Sequence, residues 1–277
     1  MRGLRVDGIC DESTWSALVE ASYRLGDREL SLRRPMMRGD DVAVLQRTLG
    51  GLGFDAGRAD GIFGHATAAA MSEFQRNVGL NVDGICGYET LAALRRCGSR
   101  NDGDADNIAV VRERESLLTQ PRTLHGRRLV IGRASELATI TRSVDRSLRA
   151  AGGLVLVVDH RDASEQARAA NEFGADAYLG FASAADRCGV SFFATEGFRS
   201  PGGERLARHL LTGLQPILSR VSDSPSGMRL PILRETQMTA VVCELGPLSQ
   251  VVPRAPLVSQ AVVEALRAWV HEPVQAG

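Results

Sequence analysis

An α/β protein of two parts is what this sequence predicts: a small three-helix module followed by a larger, mostly parallel α/β domain. Three observations carry that reading. The octapeptides Gly3-Leu4-Arg5-Val6-Asp7-Gly8-Ile9-Cys10 and Gly79-Leu80-Asn81-Val82-Asp83-Gly84-Ile85-Cys86 differ at a single position and mark duplicated units. From about Arg127 onward, short apolar runs alternate with amphipathic stretches, the pattern of strands joined through helices. A length of 277 residues accommodates two domains of ordinary size.

The first copy of the repeat occupies residues 1–27. A helix is expected from Ser13 to Leu25, with Thr14 at the offset that Thr90 holds in the second copy. One helix cannot enclose a core. This truncated repeat is therefore expected to expose Trp15, Leu18 and Tyr23, and a natural form extended upstream of Met1 is expected to be more stable.

Residues 35–98 read as a complete module. Asp40 or Asp41 is placed to cap a helix whose apolar face is Val42, Leu45 and Leu49. Asp60-Gly61 makes a turn, since glycine accepts the positive φ required there. A second helix carries Met71, Phe74 and Val78, Asp83-Gly84 turns again, and a third helix packs Leu91 and Leu94. Residues 99–126 are polar and mixed in charge, with Asn101 to Asp106 and Arg112-Glu113-Arg114-Glu115, and read as a flexible linker.

In the C-terminal domain, residues 127–272, strands are expected at Leu129 to Ile131, Leu154 to Val158, Ala177 to Phe181, Val190 to Ala194 and Thr239 to Cys243. Helices are expected after Ser135, where Ile140, Val144 and Leu148 share a face, and over Ser164 to Phe173, Glu204 to Leu218 and Gln260 to Val270.

Composition excludes several functions. Thirty-three basic and thirty-three acidic residues give zero net charge, which argues against nucleic acid as a partner. Every basic residue is arginine, so lysine chemistry is excluded. Five scattered cysteines, without a CxxC pair, suggest reduced thiols. The N-terminus lacks the apolar core of a signal peptide and no apolar run reaches a membrane span, from which a cytoplasmic location is expected.

Residues 35–98 resemble the peptidoglycan-binding domain family. The match runs through Gly39-Asp40, Leu45-Gln46, Leu52-Gly53-Phe54, Asp60-Gly61-Ile62-Phe63-Gly64, Thr67, Phe74-Gln75, Gly79-Leu80, Asp83-Gly84-Ile85-Cys86-Gly87 and Thr90-Leu91. The resemblance implies that peptidoglycan or its precursors bind beside Asp60, Gly61, Phe63, Asp83 and Gly84.

The C-terminal domain resembles the zinc-dependent N-acetylmuramoyl-L-alanine amidases. Arg168-Ala169-Ala170-Asn171, Gly174-Ala175-Asp176, Leu230 to Arg234 and Met238 to Gly246 carry that likeness. Such an enzyme holds zinc with two histidines and a carboxylate, and passes a proton through a further glutamate. Glu244 matches that glutamate. The family's first histidine follows the first strand, where this chain reads Gly132-Arg133-Ala134-Ser135. Its second follows the third strand, where Ala182 stands. For the carboxylate ligand one alignment offers Glu136 and another gives Arg133. His65, His125, His160, His209 and His271 form no HxxxH pair, and His160 alone is expected on the right face.

The resemblance thus implies a pseudoenzyme without cofactor, its old cleft wider and less polar. Glu20 to Gly26 and Gly39 to Ala43 resemble the regulatory members of the family in particular. They imply a non-catalytic regulator of peptidoglycan synthesis, with the UDP-N-acetylglucosamine enolpyruvyl transferase and a membrane flippase as partners. Two alternatives stand beside it: an active zinc amidase cleaving the MurNAc–L-Ala amide bond, and a simple glycan- or precursor-binding protein.

Overall fold

The computed structural model describes residue 4 and residues 7–98, 108–132, 135–195 and 198–272. It divides into two compact units, the first running to Glu113 and the second beginning at Arg114.

In the first unit, α1 (Glu12–Ser22) is capped by Asp11, whose Oδ1 accepts from Thr14 N at 2.8 Å. No residue of α1 is buried, and Trp15 is 63% exposed. Three further helices form the module: α2 (Asp40–Gly51), α3 (His65–Val78) and α4 (Tyr88–Gly98). Their apolar positions recur at helical spacing and meet in one core of Leu45, Leu49, Met71, Phe74 and Leu94, closed by Phe63 from a turn. Gly79 ends α3 in the left-handed conformation, as its place after an apolar stripe predicts.

The module begins earlier than residue 35. Leu30 is fully buried in its core and pairs with Cys86 in an antiparallel bridge. Arg28 Nε donates to Asp41 Oδ2 at 2.7 Å and its Nη2 to Arg38 O at 2.7 Å. Asp41 is therefore not a helix cap. It lies buried inside α2, held by Arg28 and by Val42 N, and Gly39 occupies the cap position with no side-chain bond. A carboxylate out of water needs such a counterion, and the sequence keeps it thirteen residues away.

Residues 99–107 lie outside the described residues, but the rest of the expected linker is ordered structure. α5 (Ile108–Thr119) is a helix, and Leu117 and Leu124 pack into the core of the second unit. Only Ala109 of this helix is buried, Arg112 and Glu115 are exposed, and Glu113 and Arg114 are half-buried.

The second unit is built on a sheet of β1 (Arg128–Gly132), β2 (Leu154–Val158), β3 (Ala177–Ser183), β4 (Gly189–Thr195), β5 (Phe198–Arg199), β6 (Ser226–Met228) and β7 (Thr239–Leu245). The order is β2-β1-β3-β7-β4-β5, with β6 beside β4. β1, β2, β3 and β7 are parallel, whereas β4 is antiparallel to β7. Parallel neighbours require crossovers, and helices supply them. The helices between strands are α6 (Ala138–Ala150), α7 (Ala163–Phe173), α8 (Pro201–Leu214) and α9 (Pro231–Glu235), and α10 (Leu248–Val251) and α11 (Ala255–His271) follow the last strand.

Local chemistry sets the helix starts. Asp162 caps α7 through Ser164 N at 2.8 Å, and Ser200 caps α8 through Gly203 N at 3.0 Å, with Pro201 at the first helical position. One sheet face, with Ile131, Leu179, Val241 and Cys243, packs against Val144, Leu210, Leu266 and Trp269 in a single core.

Candidate functional site

Two places are chemically organised. The first lies in the N-terminal module, where each Asp-Gly-Ile turn is tied to a buried glutamine. Gln75 Nε2 donates to Asp83 Oδ1 (2.8 Å), Ile85 O (3.0 Å) and Thr90 Oγ1 (3.1 Å). Its Oε1 accepts from Gly84 N at 2.9 Å. Gln46 repeats the arrangement with Asp60 Oδ1 (2.8 Å), Ile62 O (3.1 Å), Thr67 Oγ1 (3.1 Å) and Gly61 N (2.8 Å). In both turns the aspartate also accepts from the isoleucine two residues on. The first repeat copy retains that last contact, from Ile9 N to Asp7 Oδ1 at 2.9 Å.

These knots assign the expected ligand residues a structural task. Gly61 and Gly84 are buried at positive φ, and one oxygen each of Asp60 and Asp83 is engaged by a glutamine and a backbone amide. Asp83 is otherwise exposed, and the Ile85 amide, then Gln75, hold its carboxyl below the usual carboxylate range. Phe63 is a correction: its ring is fully buried in the module core, so it offers no surface to a glycan. Sequence reading passed over Gln46 and Gln75 as site-forming residues. Their signal was the Asp-Gly-Ile turn with a threonine seven residues after each aspartate.

The second place is the carboxyl end of the sheet, where ligands gather in folds of this kind. Registers align Gly132 with Gly180 and Gly180 with Val242, then Ala182 with Glu244. Alternation puts all of them on the face opposite the main core. Gly132 has no room for a side chain, because a Cβ there would overlap the Tyr178 hydroxyl. Gly180 is crowded by the same ring and by Val242. Tyr178 is 2% exposed and donates to Gln166 Oε1 at 2.6 Å. Burial raises its pKa, so the phenol keeps its proton. Gln166 Nε2 in turn donates to His160 O at 2.6 Å. A tyrosine thus lies over the two glycines that precede Ala182 and Glu244 on this face.

Glu244 is half-buried, and its carboxylate has no hydrogen-bond or ion-pair partner among the described residues. Arg133 lies outside the described residues. Glu136 is exposed on the 3-10 turn Ser135–Leu137. His160 is exposed and its Nδ1 accepts from Asp162 N at 3.1 Å. His209 pairs with Glu272 at 2.6 Å, and His65 and His271 sit at helix ends. Among the described residues no three of the types His, Cys, Asp and Glu converge on one point. A methyl group opposite Glu244 and a bare glycine at the end of β1 do not fit the donor set that zinc requires.

Residues 38–94 match the family model described as "Putative peptidoglycan binding domain". The chain is 47% identical over 132 residues to the N-acetylmuramoyl-L-alanine amidase CwlM of Mycobacterium tuberculosis, covering 47% of this chain and 32% of that protein. It is 34% identical over 113 residues to the N-acetylmuramoyl-L-alanine amidase CwlL of Bacillus licheniformis, covering 34% and 31%. Among solved structures, the N-acetylmuramoyl-L-alanine amidase AmiC2 of Nostoc punctiforme superposes with a TM-score of 0.44 at 13% identity, over 53% of this chain and 98% of that one. The chain thus combines a peptidoglycan-binding-type module with likeness to N-acetylmuramoyl-L-alanine amidases. The likeness to the Mycobacterium tuberculosis amidase CwlM, at 47% identity, covers about half of this chain. It spans about a third of the length of the curated relatives it matches.

Proposed function

We propose that this chain is a non-catalytic amidase-like protein of peptidoglycan metabolism, which binds wall precursor or a partner enzyme and regulates peptidoglycan synthesis. One observation carries the proposal. At the strand ends where an amidase gathers its zinc ligands, this chain has Gly132 and has Ala182 opposite Glu244, and among the described residues no three potential ligands converge. Zinc accordingly has no part in this reading. The match over residues 38–94 supports peptidoglycan or its precursors as ligand. The proposed protein partners are the UDP-N-acetylglucosamine enolpyruvyl transferase and the precursor flippase. The proposed compartment is the cytoplasm, which suits five free thiols. Among the described residues no helix is long and apolar enough to cross a membrane.

The active-amidase reading has Glu244 in its favour, a strand-end carboxylate free to carry a proton. One experiment separates the two. The full chain is purified without chelators, its zinc measured by elemental analysis, and the protein incubated with sacculi. The expected result is far less than one zinc per chain, no soluble stem peptide, and protein retained on the sacculi. A full equivalent of zinc together with peptide release would establish the amidase instead.

A further inference from the structure

Away from both places described above, at the amino end of β1, the second unit has a narrow recess. It is lined by Leu117, Gln120, Arg122, Arg127, Arg205, Trp269 and Glu272, among others. Its deepest part admits a group about the size of one oxygen atom.

The polar groups around it are nearly all donors. Trp269 is 1% exposed, yet its indole Nε1 has no hydrogen-bond partner. Arg205 Nε is also buried without a partner, although the same guanidinium donates through Nη2 to Trp269 O at 3.0 Å. Arg127 is 5% exposed and donates to Thr123 O (3.3 Å), Gln120 Oε1 (2.6 Å) and Pro121 O. Its guanidinium also lies over the Trp269 ring, 5.8 Å from the centroid. Three arginines thus line the recess. Two carboxylates also lie nearby: Asp176 is 3.7 Å from Arg127, and Glu272, at the recess, acts on Arg205 and lies 2.6 Å from His209.

Buried donors are almost always paired in folded proteins. Two unpaired donors belong to residues that line one recess, beside the buried Arg127 guanidinium, and describe half of a hydrogen-bonded pair. Burial lowers the pKa of both Arg127 and Arg205, against the opposing pull of Asp176 and Glu272.

We propose that this recess binds a carboxylate group. One of its oxygens enters between the Trp269 indole N–H and the Arg205 Nε–H, and the remainder of the ligand stays at the mouth beside Gln120 and Arg122. A single carboxylate oxygen matches a recess with room for about one such atom. A tetrahedral phosphate needs a wider ring of donors. The site does not depend on whether Glu244 and its neighbours hold a metal.

The test uses ¹⁵N-labelled full chain and follows the two indole N–H signals, the Trp269 signal being assigned by its loss in Trp269→Phe. Sodium acetate is titrated in at constant ionic strength, with chloride as the balancing anion, and inorganic phosphate is titrated separately. We expect a saturable acetate shift of the Trp269 indole, no shift of the Trp15 indole, and weaker binding of phosphate. Arg205→Gln should weaken acetate binding about tenfold, the loss expected for one charge-assisted hydrogen bond. Tighter binding of phosphate than of acetate would overturn the carboxylate assignment. An unmoved Trp269 signal in the unaltered protein would overturn the site itself, because water then satisfies both donors. Undiminished affinity in a folded Arg205→Gln variant would do the same.

Discussion

Gln75 has no exposed surface, and its amide is wholly spent on one turn and one threonine. Replacing it with alanine leaves the Gly84 amide buried and unpaired and opens a polar hole. A loss of about 3 kcal/mol is expected in urea denaturation, with faster hydrogen exchange at Gly84. A Gln75→Ala chain as stable as its parent would refute the structural task given to the knot. Asp83 adds a pH dependence to the same turn. Its carboxyl is held below the ordinary value in the folded chain, so the unfolded chain takes up the proton first. The stabilisation is complete above about pH 4, the ordinary carboxylate range, and fades as pH falls through the lower folded value. The group is exposed, so the effect is small. Asp83→Asn keeps an oxygen for Ile85 N and Gln75, and acid titration should show a flatter stability curve for this variant. An identical acid response in both proteins would show that the carboxylate is not the source.

At the scale of elements, most of the fold was legible because periodicity is local. The helix over residues 65–78 and the strands at residues 128–132, 154–158 and 239–245 follow from apolar spacing that a short window contains. What escaped depends on partners distant in sequence. Leu30 fell between the two expected N-terminal units because its bridge to Cys86 lies beyond any window. α5 and Leu124 looked like linker because charge diluted their few apolar residues. At the strand ends, the missing histidines were readable from the family pattern, but the replacement was not. Nothing in the local sequence says that Tyr178 must cover Gly132. Gly132→Ala should therefore destabilise the second unit by roughly 1–3 kcal/mol, through overpacking against the Tyr178 hydroxyl. Adding Tyr178→Phe should return part of that loss, giving a coupling visible in a double-mutant cycle of thermal melts. Strict additivity would mean that the two residues do not share the space.

On the scale of the whole molecule, the two tryptophans report on opposite conditions. Trp15 is 63% exposed on a helix that buries nothing, and Trp269 is 1% exposed in the main core. Acrylamide quenching of the intact chain should resolve one readily quenched and one protected emitter. Trp15→Phe should leave only the protected one. A protected Trp15 in solution would mean that something covers α1, and a concentration series would show whether a second copy does so.

The paired glutamine knots carry one further consequence. Gln46 precedes Asp60 by 14 residues, and Gln75 precedes Asp83 by only 8, yet the two knots close with nearly the same distances. The intervening chain is therefore a tether whose length is almost free. Lengthening it between these two limits costs only about 0.5 kcal/mol of closure entropy. Evolution and engineering alike can lengthen the shorter connection at the exposed Asn81 and Val82, whereas the longer one is packed through Phe54 on Phe74 and through the buried Ala56. The module would then present loops of different reach on an unchanged frame.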